Sequence, residues 1–201
     1  NEMRRNAVEK LQTLIIEKNT PVYSVTDFIP KLNSSYRKNN NKLSLYVSCT
    51  TLKQAEIVDE YSDMLILPLD ICFECDNIDH KKIIAEPPRF ISDEAMIISE
   101  LEKLKESGIS HLLCVNYAYI ETGKNLGFTL HGGFGLNICN SYSIEAAEKI
   151  GLSDITLSFE LTLSQINRLD FKLPSGSIIY GRLPLMLLRN CPVRNEIGCK
   201  K

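Results

Sequence analysis

Residues 43–71 read "LSLYVSCTTLKQAEIVDEYSDMLILPLDI". A β-rich apolar run (43–49) is followed by a helical stretch, TLKQAEIVDEY, and then by a second apolar run (63–71). Strand, helix and strand in so short a span is the unit of a parallel sheet, because parallel neighbours need a crossover between them. The turn after the first strand, VSCTTLKQ, has none of the glycines that a doubly wound, phosphate-binding sheet places there. The competing architecture is a (β/α) barrel, whose strands end in polar residues that converge on one face.

Outward from this unit the pattern repeats. KKIIAEPP (81–88) precedes SDEAMIISELEKLKESG (92–108), in which Ser92 suits an N-cap and Gly108 a C-terminal stop. HLLCVNYAYI (111–120) leads to a short helix around ETGKNLG. TLHGGFGLNIC (129–139) leads to SIEAAEKIG, ITLSFEL (155–161) to TLSQINRL, and SIIYGRL (177–183) is the last strand-like run. The strand ends read Ser48–Cys49, Asp70, Asn116, His131, Asn137, Glu160 and Tyr180–Arg182. The expected fold is therefore α/β and TIM-barrel-like. Seven parallel strands are visible where closure normally takes about eight, so the barrel is expected to be incomplete. Continuous apolar strands such as LILPL imply a sheet covered on both faces.

Ahead of the barrel, MRRNAVEKLQTLIIEK sets Val8, Leu11, Leu14 and Ile15 at helical spacing, which predicts an amphipathic helix over 3–18. KLNSSYRKNNNK (31–42) is a polar linker. The division is thus residues 1–42, helix and linker, and residues 43–201, barrel. No window approaches a membrane span, and NEMRRNAVEK lacks the apolar run of a secretion signal. Seven cysteines, mostly inside apolar runs, do not read as a secreted disulfide framework. A cytoplasmic protein is expected, with no membrane partner.

Charge is uneven. Residues 1–42 carry eight basic and four acidic side chains and residues 182–201 five and one, so the middle holds ten against twenty. A basic C-terminal flank on an acidic body suits an anionic partner or a plain solvated tail.

Several side chains are candidates for chemistry. His131 stands beside Gly132 and Gly133, whose open backbone would let a ligand approach. His111 opens an apolar strand and reads as a boundary residue. Glu160 ends an apolar strand, where an unpartnered carboxylate is costly, and Arg182 is its expected partner; a structural and a catalytic ion pair are equally consistent with that. Cys72 and Cys75 form a CxxC with no second pair at zinc spacing, which favours a packing or loop role. Cys191 and Cys199 could be a disulfide, half a metal site or packing thiols.

Three stretches carry a resemblance. HGGFGLNICNSYSIEAAEKIGLSDITLSFELTLSQI (131–166), YGRLPLMLLRNCPV and residues 43–71 together resemble peptidase family U32, the collagenase-like peptidases. Asn137, Asn140, Ser141, Gly151, Ser158, Glu160 and Leu161 occupy places of that family's Asn-x-x-Asn-Ser turn, glycine and Ser-x-Glu-Leu strand. HGGFG departs from the pattern where members often have Asp. The likeness implies a barrel-like unit, the second of a long member, whose other half is the expected partner within the same longer protein. Together with the strand-end readings above, it makes Glu160 and His131 the catalytic candidates, and Asn137, Asn140, Ser158, Tyr180 and Arg182 the substrate-binding ones. In similar proteins CPV…GC continues into further cysteines thought to hold an iron–sulfur cluster, so the resemblance makes Cys191 and Cys199 two ligands of an incomplete set. A cluster needs about four thiolates. The cluster is thus expected in the full-length protein, with none held by residues 1–201, which alone should be inactive. The family label is peptidase, yet the sequence has no HExxH, no GxSxG and no cysteine with an evident histidine partner. Similar proteins are associated with oxygen-independent hydroxylation of tRNA or rRNA bases or of a quinone ring, and the cysteines and basic flank fit hydroxylation of an RNA base better. Proteolysis of collagen-like or other peptides, or a non-catalytic RNA-binding scaffold half, are the alternatives.

Overall fold

The structure, a computed structural model, describes residues 2–19, 43–184, 188 and 196–198. The chain falls into two units, residues 1–33 and 34–201. The first contains α1 (Glu2–Asn19), the helix expected over 3–18, closed at its end by Asn19 Nδ2 donating to the Ile15 carbonyl at 2.9 Å.

The second unit alternates without exception. β1 (Tyr46–Ser48) leads to α2 (Leu52–Val58), β2 (Met64–Pro68) to the one-turn α3 (Leu69–Cys72), and β3 (Ile83–Glu86) to α4 (Glu94–Glu106). β4 (His111–Cys114), α5 (Ala118–Asn125), β5 (Thr129–Gly132), α6 (Ser141–Lys149), β6 (Asp154–Thr156), α7 (Leu163–Ile166) and β7 (Ser175–Gly176) follow. All seven strands pair in parallel with their sequence neighbours, in the order β1 to β7. Parallel pairing follows from the crossover helices, and their amphipathic faces decide which side of the sheet is dry.

One hydrogen bond fixes the curl. Tyr46 on β1 donates from its hydroxyl to Asp154 Oδ2 on β6 at 3.0 Å. In a flat sheet those strands would lie about 24 Å apart, five spacings of roughly 4.8 Å. The sheet must therefore bend back on itself into an incomplete barrel, as the strand count predicts.

Burial separates the two faces. Leu65, Leu67, Ile83, Ala85, Leu112, Cys114, Leu130, Ile155 and Leu157 point outward, under the helices, and are 0–2 % exposed. Their neighbours along the strands point to the concave side, where Ile84, Leu113 and His131 are buried and Met64, Ile66, Glu86, His111, Asp154 and Thr156 are half-buried. The sheet is thus fully covered on its convex face and partly covered on its concave one. The apolar run of β2 serves the convex core with Leu65 and Leu67, while Met64, Ile66 and Pro68 line an open trough. α5 lies especially close, since a Cβ on Gly123 would stand 2.5 Å from a Leu130 methyl and 2.8 Å from one of Leu112.

Local boundaries differ from expectation in two places. Asp93, not Ser92, caps α4, accepting from the Met96 backbone N–H at 3.0 Å; both residue types cap well, and the one three positions ahead of that amide wins. Gly108 does end the helix region, at φ +100°. The last strand is Ser175–Gly176 rather than 177–183. Leu157 N–H still bonds the Gly176 carbonyl, but Ser158 N–H turns instead to Ile138, and among the described residues no strand pairs with the chain beyond Gly176.

Candidate functional site

The trough carries a continuous chain of polar side chains from four strands. His131 is buried, and its Nδ1 lies 2.8 Å from Asp154 Oδ2. Its other ring nitrogen, Nε2, lies 2.9 Å from His111 Nδ1. Tyr46 completes the set on the carboxylate and meets the His131 ring edge-on, with centroids 6.1 Å apart. The register explains why they meet. Leu113 pairs with His131 and His131 with Asp154, so these side chains share one concave row. Glu86 belongs to the same row, one residue past the Ala85–Leu112 pair. Its Cα is two strand spacings, about 10 Å, from that of His131.

Electrostatics differ along the row. Burial, with the neighbouring His131 as a smaller cause, lowers the His111 imidazole, so it is neutral at pH 7. Burial first and the Asp154 carboxylate second push the Tyr46 phenol upward, which keeps it a donor. Burial raises the Glu86 carboxyl above its ordinary value. A chain of alternating donor and acceptor groups of this kind can fix a tautomer and pass a proton.

The C-terminal strand ends form the second part of the site. A cleft of about 360 Å³ opens over β2 and β3, lined by Asp70, Glu86, Arg89 and Glu100 with Pro68 and Pro87. Arg89 also lies 5.5 Å above the Phe134 ring, which sits 5.9 Å from Phe159. Asn116 Nδ2 donates to the Arg89 carbonyl and the Tyr119 hydroxyl to that of Pro88, tying the loop after β3 to the element after β4. Each of the five segments following β2 to β6 brings an aromatic ring to this end: Phe73, Phe90, Tyr117, Phe134 and Phe159. Four of these, all but Phe134, are 44–61 % exposed.

The residues singled out from sequence fall into several local roles. His131 is far less open than its flanking glycines suggest, because Gly133 packs on the Cys114 carbonyl and the imidazole points into the trough toward Asp154. Asn137 is exposed, in the left-handed region at φ +52°, and closes the turn after β5. Asn140 caps α6, accepting from Ser143 N–H at 2.8 Å while the Ser143 hydroxyl reaches back. Ser158 is buried and accepts the Glu160 N–H. Glu160 and Arg182 are both exposed and make no ion pair with each other. Two solvated charges gain little from pairing, and the chain after Gly176 has left the sheet. Tyr180 is 96 % exposed.

Cys191 and Cys199 lie outside the described residues. Among the described cysteines, Cys49, Cys72, Cys75 and Cys114 are buried and only Cys139 is exposed. Burial raises the Cys72 and Cys114 thiols to about 12 and Cys75 to about 11. Cys72 and Cys75 donate back to the Leu67 and Ile71 carbonyls. No group of three or more His, Cys, Asp or Glu side chains among the described residues is arranged to hold a metal ion. The described thiols therefore do not fit an iron–sulfur group by themselves, since its ligands must converge.

Tyr46, His111, Asp154 and Glu86 are the residues that sequence reasoning missed or set aside. Their signal was period two. In DITLS, Asp154, Thr156 and Ser158 alternate with Ile155 and Leu157, and in HLLC His111 shares a face with Leu113. A polar face on a barrel strand points inward, where polarity needs a reason.

No family model matches the chain, and no curated protein matches it. Among solved structures, that of the U32 peptidase Mk0906 superimposes with a TM-score of 0.50 at 12% sequence identity, covering 72% of each chain. At that identity the match speaks for architecture. The chain has the barrel-like fold of a U32 peptidase structure, as the motif resemblance implied.

Proposed function

We propose that this chain is the barrel unit of an enzyme that hydroxylates a base of tRNA or rRNA without molecular oxygen, and that it does not hydrolyse peptides. The observation that carries this reading is the set of aromatic rings, with Arg89 against one of them, at the C-terminal strand ends where barrel enzymes place their substrates. Unpaired bases stack on such rings and on guanidinium planes, and stacking is the main way proteins hold single-stranded RNA. Hydrolysis finds less support. His131 spends both nitrogens on Asp154 and His111, which leaves it no nitrogen to activate a hydroxyl or thiol nucleophile.

The iron–sulfur cluster belongs to this proposal. Cys191 and Cys199 would supply two thiolates, with the others contributed by the rest of a longer protein, whose other half is the proposed partner. The group would supply redox chemistry when bound. The described residues would stack the base, exclude water and hold protons.

The test is a comparison of nucleosides from tRNA and rRNA of cells with and without the gene. The reading expects one nucleoside heavier by a single oxygen to vanish on disruption and return on complementation. Unchanged nucleosides, together with gelatin cleavage by the purified full-length protein, would overturn it in favour of a peptidase.

A further inference from the structure

We propose that Nε2 of His111 is a proton-accepting atom presented to the trough, held bare by a fixed order of protons running through His131 to Asp154. The site takes a ligand that offers a neutral hydroxyl or ring N–H. This inference concerns the trough and stands independently of the reaction proposed above.

An ionised carboxylate can only accept, so Asp154 Oδ2, already bonded by the Tyr46 hydroxyl, requires the hydrogen of His131 to sit on Nδ1. A neutral His131 then has a bare Nε2. That nitrogen lies 2.9 Å from His111 Nδ1, and the bond needs one proton, which His111 must supply. A neutral His111 that carries its hydrogen on Nδ1 has none on Nε2. Among the described residues Nε2 of His111 has no partner, and no buried polar side-chain atom is left unsatisfied, so this atom reaches solvent.

The charged neighbours are compatible with a neutral resting state. Asp154 from β6 favours a cation, whereas burial, His131 from β5 and Lys105 from α4 oppose one. Tyr46 from β1 offers only its hydroxyl, itself under the influence of Asp154 and Asp63.

The chemistry balances without oxidant or reductant. The ligand's O–H or N–H bond breaks and an N–H bond forms at His111 Nε2, leaving the ligand as an anion. The Nδ1 proton of His111 passes to His131 Nε2. The positive charge then rests on His131, against the Asp154 carboxylate, which stabilises it far better than solvent at His111 would.

Nitrogen-15 NMR of the 201-residue chain with labelled histidine, near pH 8, reads this order directly. The expected result is a hydrogen on Nδ1 of both His111 and His131 and a bare Nε2 on each. A hydrogen on Nε2 of His111, which would mean that His131 is the imidazolium, overturns the proposal. Asp154→Ala should release the order, because no acceptor then holds the hydrogen on His131 Nδ1, and both rings should show a mixture of the two tautomers; unchanged rings in that folded variant overturn the role of Asp154. If the variant does not fold, the wild-type spectrum still decides. Phenol, a hydroxyl probe, should shift the His111 Nε2 resonance in the wild-type protein, and no shift at its solubility limit overturns the ligand class.

Discussion

Glu86 shows how a single residue couples burial to function. It sits at the C-terminal end of β3, half in the trough and half in the cleft beside Arg89, and burial raises its carboxyl. The folded chain therefore holds this proton above the ordinary value of 4.5, while the unfolded chain releases it there. The linkage runs one way: stability is lost as pH rises from about 4.5 through the folded value. Glu86→Gln should remove that loss, so its melting temperature should exceed wild type at pH 7 and match it near pH 3. Thermal melts at both pH values check this. His111 gives the opposite slope. Its folded value lies below 6.5, so stability should fall as pH drops below that point and the unfolded chain takes up the proton first.

At the scale of elements, the loops after β3 to β6 act as one layer. Gly135 makes this visible, because a Cβ there would collide with the Val115 carbonyl oxygen, which is backbone and cannot swing away. Gly135→Ala should destabilise the fold by about 1–3 kcal/mol, the usual range for overpacking, and urea unfolding would measure it. On the same layer, Phe159→Ala should weaken binding of a short single-stranded RNA by about 1–3 kcal/mol, the range for one base stacked on an aromatic ring. Tyr61→Ala, at the opposite end of the barrel, should leave that binding unchanged. The elements themselves were largely legible in the sequence. Alternating apolar and helical runs gave seven parallel strands and their crossovers, because both signals are local. The site was not. Asn137 and Asn140 carried the family pattern, yet they serve as a left-handed turn and a helix cap. Tyr46 reaches Asp154 only because β1 and β6 curl together, and no local pattern contains that contact.

For the whole molecule, the incomplete barrel divides its two faces between separate tasks. The convex side buries most of the leucines and isoleucines that stabilise the fold, and the concave side sets half-buried polar side chains beside the buried Ile84, Leu113 and His131. Among the described residues no helix is long and apolar enough to cross a membrane. The proposed function has this fold serve iron–sulfur chemistry on an RNA base rather than peptide hydrolysis. Iron and acid-labile sulfide in the full-length protein, purified without air, test it most directly. Iron and sulfide should be present in nearly equal amounts, and both should be lost in Cys191→Ser while the fold remains. A wild-type protein that contains neither, or a Cys191→Ser protein that keeps both, would contradict it.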